Sequence, residues 1–209
     1  MKKILVIGPH PDDLEFGCGG TLYKLSKNGF RLELLVITCG EYGGLPNIRK
    51  KEQHASASFL KAGLHWGGFR DTEVQVGREL ISVIEKKISI IKPHLIMVNY
   101  ENDTHQDHRN VSQAVITAAR HESNIIFYEV PTSIEFQPEI FSNIGTVLDK
   151  KIRLLKCHRS QIHKTRIKNL SIIESARSAA IFRGYQARVK YAEGFKAQRM
   201  LFDNFLCKL

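Results

Sequence analysis

A three-layer α/β sandwich with a mostly parallel central sheet is the fold class this sequence predicts, on three observations. Short, branched, almost wholly apolar runs recur as candidate strands, segments of helical periodicity lie between them, and the clearest pair of runs is separated by the length of one strand–helix–strand unit, about thirty residues. Strands joined through a helix lie parallel and cross over right-handedly.

Taken in order, Ile4 to Ile7 reads as a strand buried on both faces, since it carries no polar alternation. GGTLYKLSKNG, residues 19 to 29, sets Leu22 and Leu25 at helical spacing beside Tyr23 and ends on Gly29, a good helix stop. RLELLVIT, residues 31 to 38, is the second strand. Helices are predicted over Arg49 to Ala62, stopped at Gly63, and over Arg78 to Lys92, stopped at Pro93. His94 to Val98 is a short strand, Asp107 to Arg120 a helix and IIFYEV a strand. Past Pro131 the pattern predicts helices over Val147 to His158 and Ser171 to Arg183, then closing strands near Val189 to Met200. With 43% hydrophobic residues and no linker or repeat, residues 1–209 are expected to form a single domain of Rossmann-like layering.

Several function classes are excluded early. MKKILVIG is too short for a signal core or membrane span, and no stretch approaches about 18 apolar residues, so a cytoplasmic location is expected. Cys18, Cys39, Cys157 and Cys207 form no CxxC pair and read as reduced thiols, with Cys18 a small buried apolar residue. Lys and Arg number 31 against 21 Asp and Glu, a net charge of +10. The basic run KKIRLLKCHRSQIHKTRIK, residues 150 to 168, is interleaved with apolar residues and reads first as a solvated helix face, next as an attraction for an anionic substrate. Nucleic acid ranks last, because no recognition module or base-stacking signature accompanies the charge.

Two polar clusters carry the chemistry. GPHPDDLEFGCGG, residues 8 to 20, follows the first strand, and NYENDTHQDH, residues 99 to 108, follows HLIMV. In an open parallel sheet both belong on the rim beyond the carboxyl ends of the strands, where ligands bind. His10 and Asp13 are three residues apart, as are His105 and His108, and imidazole with carboxylate is a ligand set for a zinc-like ion. Three protein ligands would leave a position open for water, the mark of a catalytic site. Each cluster alone has a plainer reading, as a turn capped by Asp12 or Asp13 and as a helix begun at Asp107, but their joint occurrence favours a shared metal. Glu15 reads as a carboxylate favouring a helix dipole, and His54, His65, His94, His121, His158 and His163 as surface or satisfied core histidines. Gly17, Gly19 and Gly20 do not make a GxGxxG turn, and neither a GxSxG elbow nor a Walker A loop is present.

At these residues the chain resembles the PIG-L or LmbE-like family of zinc-dependent de-N-acetylases, whose (P/A)HPDD and HxDH motifs stand here as GPHPDD and THQDH. TCGEYGG, RKKE, HRSQ and AEGFKAQRM look like further landmarks, so the likeness covers most of the chain. The resemblance implies that His10, Asp13 and His108 hold the metal, that Asp12 is the general base, that His105 stabilises the oxyanion or protonates the leaving amine, and that Asp107 orients His105. It implies Zn2+, with Fe2+ admitted by the same ligands, an N-acetylated sugar as substrate and a homo-oligomer. Two positions depart from the family: Gly43 stands where members acting on N-acetylglucosaminyl compounds often carry an arginine, and Gln106 where proline is common. Arg49 is the nearest arginine to that loop and is expected to pair with Glu52 rather than with substrate. Hydrolysis of another amide, an ester or a phosphoester uses the same groups and stands as the alternative, as does a non-enzymatic basic binding module.

Overall fold

The computed structural model describes residues 1–201. Strands β1 (Lys3–Gly8), β2 (Arg31–Thr38), β3 (Gly63–Phe69), β4 (Leu95–Asn99), β5 (Ile125–Tyr128), β6 (Ile140–Asn143) and β7 (Ala192–Arg199) form one sheet in the order β3-β2-β1-β4-β5-β7-β6. Every pairing from β3 through β5 is parallel, and only β7 runs against its neighbours. Helices α1 (Asp13–Lys27), α2 (Pro46–Leu60), α5 (Leu148–Cys157) and α6 (Ile172–Gln186) pack on one face, and α3 (Arg78–Ile91) and α4 (Gln106–Ala118) on the other. The sandwich of three layers and its mostly parallel sheet are as the sequence predicts.

Side-chain alternation divides the core. In β1, Ile4 and Val6 face the layer containing Leu14, Leu22 and Leu154, whereas Leu5 and Ile7 face Leu80, Ile84 and Val115. Both faces are dry, which is why the strand shows no polar period. Gly17 is needed where α1 crosses β5, since a Cβ there would lie 2.1 Å from the ring of Tyr128.

Two strands escape the sequence pattern. β3, GLHWGGF, is an edge strand with three glycines, Gly68 at φ +85°, and the helix before it closes at Lys61 rather than at Gly63. β6 is four residues long on the opposite edge, and the closing region holds the single strand β7. Edge strands are half-solvated and lack the apolar run that marks a central one. Cys18, Cys39 and Cys157 are free thiols, and Cys207 lies outside the described residues. Among the described residues no helix is long and apolar enough to cross a membrane.

Helix α1 is kinked at Cys18, where φ is −141°. A break in a helix strands a carbonyl on one side and N–H groups on the other. Lys151, from α5, donates to the Phe16 carbonyl, and Glu193, from β7, accepts from the N–H groups of Gly20 at 2.9 Å and Thr21 at 2.7 Å. Lys151 and Glu193 meet at 2.5 Å, both buried. The basic run is thus not wholly a solvated face: Lys151 is 3% exposed, because the kink supplies a buried acceptor. Removing one partner of such a pair leaves the other charge buried, so Lys151→Ala should lower stability by about 3–5 kcal/mol, read as a lower urea midpoint at unchanged slope.

Candidate active site

Adjacency of β1 and β4 assembles the site. Ile7 pairs with Val98, so the HPDD turn and the 99–108 loop leave the sheet at the same height, at the point where strand order reverses. His10 Nδ1, Asp13 Oδ2 and His108 Nε2 converge there, with separations of 3.2, 3.3 and 3.4 Å. An ion with bonds of about 2.0–2.1 Å in tetrahedral array spaces its ligand atoms by about 3.3 Å, so the three atoms fit three corners of a zinc site. The turn is built for this: Asp13 Oδ2 also accepts the His10 N–H at 2.9 Å, and Asp12 stands at φ 91°, a left-handed conformation uncommon outside glycine.

The far side of each imidazole is also engaged. His10 Nε2 lies 2.9 Å from Asp71 Oδ1 and 3.1 Å from Asp107 Oδ2, and His108 Nδ1 lies 3.2 Å from Asp103 Oδ2. Carboxylates in these places orient a metal-binding imidazole and raise its basicity. Burial would lower His10 and His108, but the surrounding carboxylates prevail: Asp107, Asp13 and Asp71 hold His10 well above its ordinary value, while Asp13 and Asp103 bring His108 to about 9. Burial would raise Asp13, yet His108 and His10 pull it well below the usual carboxylate range.

The carboxylate of Asp107 does not orient His105 as expected; Oδ2 serves His10 and the Thr72 N–H, the latter at 2.7 Å. His105 is the N-cap of α4, and its Nδ1 accepts the Asp107 N–H at 3.2 Å, so the main chain orients it. With Nδ1 accepting, the neutral ring carries its proton on Nε2. Burial, then the neighbouring His10 and His108, hold His105 below its ordinary value.

Asp12 points along the wall of the same cleft. Its partial burial raises the carboxyl to about 6, with the Arg49 guanidinium opposing and Asp13 adding to the shift. Arg49 does not pair with Glu52, which instead accepts the N–H and Oγ–H of Ser160, each at 2.7 Å. Arg49 is buried and lies 3.3 Å from Asp12 Oδ1, while donating to the carbonyls of Pro11 and Gly40. Gly43 follows from this packing, because a Cβ there would sit 2.2 Å from Arg49 Nη1. Glu15 is fully buried rather than a simple dipole partner. It accepts from Gln53 at 2.8 Å and Ser56 at 2.5 Å and lies 3.4 Å from His158 Nε2, so His158 belongs to this layer behind Asp12.

Residues 5–119, more than half of the chain, match the profile of the PIG-L family, described as GlcNAc-PI de-N-acetylase. The chain belongs to the PIG-L family. Among its relatives is the uncharacterized deacetylase YaiS of Escherichia coli, 32% identical over 76% of this chain and 91% of that protein. Diacetylchitobiose deacetylase of Thermococcus kodakarensis is 29% identical over 94% of this chain and 83% of its own length. The structure of N,N'-diacetylchitobiose deacetylase from Pyrococcus horikoshii superposes with a TM-score of 0.85 at 27% identity, covering 97% of this chain and 85% of that one.

In this PIG-L chain His10, Asp12, Asp13, His105 and His108 all line one cleft of about 530 Å³, with Asp107 buried behind His10. The sequence does not single out Asp71 or Asp103, and His158, which it places in the HRSQ landmark and among surface or satisfied core histidines, is buried against Glu15. Asp103 lies inside the polar cluster after β4, so its position was a usable signal, whereas Asp71 follows the edge strand β3 and could not be placed on the rim without it. Because His10 and His108 are raised, a metal binding there competes with protons for the ring nitrogens. Apparent zinc affinity should therefore rise with pH until His108 titrates at about 9, and calorimetric binding enthalpy should change with the buffer's ionisation enthalpy. Asp103→Asn, which leaves all three ligands in place, should weaken metal binding by about 10–100-fold in the same titration.

Proposed function

We propose that this PIG-L protein is a metal-dependent N-deacetylase that releases acetate from an N-acetylated sugar of N-acetylglucosaminyl type. One observation carries the reading: a three-atom metal triangle shares a cleft with a carboxylate raised to about 6, Asp12, and a neutral imidazole, His105. The diacetylchitobiose deacetylase relatives support the substrate class. His10, Asp13 and His108 would hold Zn2+, or Fe2+, which supplies a Lewis acid for the acetyl carbonyl and a more acidic water.

Amide hydrolysis needs an activated water, stabilisation of the charge that grows on the carbonyl oxygen and a proton for the departing nitrogen. Asp12 takes the proton of the attacking water, and its raised value suits both accepting that proton and releasing it to the amine. His105 Nε2–H donates to the oxyanion. Arg49 keeps Asp12 aimed at the cleft, and Asp71 and Asp107 keep His10 in one tautomer with its Nδ1 free for the metal. The adjacent carboxylates differ in role because they differ in partners: Asp13 is held by two imidazoles, Asp12 by one guanidinium.

Acetate release from N,N'-diacetylchitobiose, measured with and without a chelator, tests the reading; metal-replete protein that releases none would refute it. Asp12→Ala should keep its metal and lose about 10²–10⁴-fold in kcat, whereas His108→Ala should lose metal and activity together. Normal turnover by Asp12→Ala would remove Asp12 from the role of base.

A further inference from the structure

Toward the amino ends of β2 and β3, the end of the sheet opposite the metal triangle, the edge carries a second polar group of three. Glu33 pairs with Gly63 and Leu35 with His65, so Glu33 and His65 share the face of the sheet that α3 covers. Gly63 makes room for the carboxylate, since a Cβ there would lie 2.1 Å from Glu33 Oε2. Glu33 reaches past it to His65 Nε2 at 2.8 Å, and Lys87, half-buried on α3, brings Nζ to His65 Nδ1 at 3.2 Å. None of the three lines the active-site cleft.

The two partners of His65 fix its tautomer. Glu33 is buried, and its other oxygen accepts from Arg31 Nε at 2.6 Å; burial would raise the carboxyl, but His65 and Arg31 hold it below its ordinary value. A carboxylate can only accept, so His65 Nε2 carries the hydrogen and Nδ1 presents its lone pair to Lys87. Amine, base and orienting carboxylate stand in series, the arrangement that activates a nucleophile. Lys86, one residue earlier, is exposed and makes no side-chain hydrogen bond or ion pair among the described residues.

We infer that Lys87 is an acylation site, modified at Nζ by an acyl phosphate, with His65 as the general base and Glu33 as the group that orients it. The free amine adds to the acyl carbon, and the ammonium of the tetrahedral adduct gives its proton to His65 Nδ1. The adduct then breaks its C–O bond, and the leaving phosphate takes that proton from the imidazolium. One N–C bond forms, one C–O bond breaks, and nothing is oxidised or reduced. Addition of an amine to an acyl carbon is held back until the nitrogen loses its proton, which is the step a base in hydrogen-bond reach serves. Phosphate as the leaving group suits the charge of this corner: Arg31, 57% exposed, Lys86 and Lys87 stand against the single carboxylate of Glu33, in a chain of net charge +10. Such acylation is independent of the deacetylase chemistry in the cleft.

The test incubates metal-loaded full-length protein with acetyl phosphate and follows acetylation of each lysine over time by site-resolved mass spectrometry. A positioned base is worth about 10²–10⁴-fold, so Lys87 should be acetylated at least about tenfold faster than Lys86. His65→Gln should bring Lys87 down to the Lys86 rate and leave Lys86 unchanged, and Glu33→Gln should lower Lys87 by a smaller factor. The Lys86 rate and the urea midpoint of each variant separate loss of the relay from loss of the fold, and the Lys87-to-Lys86 ratio in the unaltered protein needs no variant at all. Phenyl acetate, a neutral donor, should show a smaller Lys87 advantage; an equal one overturns the preference for phosphate. Equal rates at Lys87 and Lys86 in the unaltered protein, or an advantage that survives His65→Gln, overturn the acylation site.

Discussion

Everything at the rim depends on one imidazole with two engaged faces. His10 turns Nδ1 toward Asp13 and His108 and Nε2 toward Asp71 and Asp107, so it is the point where the metal triangle and its supporting carboxylates meet. Several carboxylates this close would repel one another if left uncompensated, and burial would make that repulsion worse. A divalent cation held by His10, Asp13 and His108 would offset that repulsion, because the three ligand atoms are spaced for it.

The carboxylates of the site arrive from three strands of the sheet. Asp71 follows β3, Asp103 and Asp107 follow β4, and Asp12 and Asp13 follow β1. A parallel sheet delivers the carboxyl ends of these strands to one rim, and the reversal of strand order between β1 and β4 opens the crevice that receives them. Behind the rim, Arg49 and the Gln53–Glu15–His158 layer hold the HPDD turn in a backbone conformation that Asp12 would not adopt unaided. Strain at Asp12 and dense polar support around it are two aspects of one arrangement: the surroundings over-determine a geometry that the local sequence disfavours.

The kink in α1 links this layer to the rest of the core. Phe16, which lines the cleft, lies in the first segment of the helix, and its carbonyl accepts from Lys151, whose partner Glu193 accepts from the N–H groups that open the second segment. A buried ion pair contributes little net stability against an apolar replacement, but it fixes where the helix breaks.

From the sequence alone, the central strands, the layered class and the joint appearance of HPDD and HQDH on one rim were legible, because apolar runs and side-chain chemistry are local signals. The partners were not. Arg49 looks like a helix-surface residue seeking Glu52, and Glu15 like a dipole partner, until α2 is laid against the HPDD turn and both prove buried beneath it. Asp107 sits two residues from His105 in the chain, yet its carboxylate serves His10, ninety-seven residues away, while its N–H serves His105. Asp71 was hidden by a glycine-rich edge strand that carries no apolar period. Residue type and spacing determine which groups can bind a metal or move a proton; which group faces which is a matter of strand order and helix packing, and only the tertiary structure decides it.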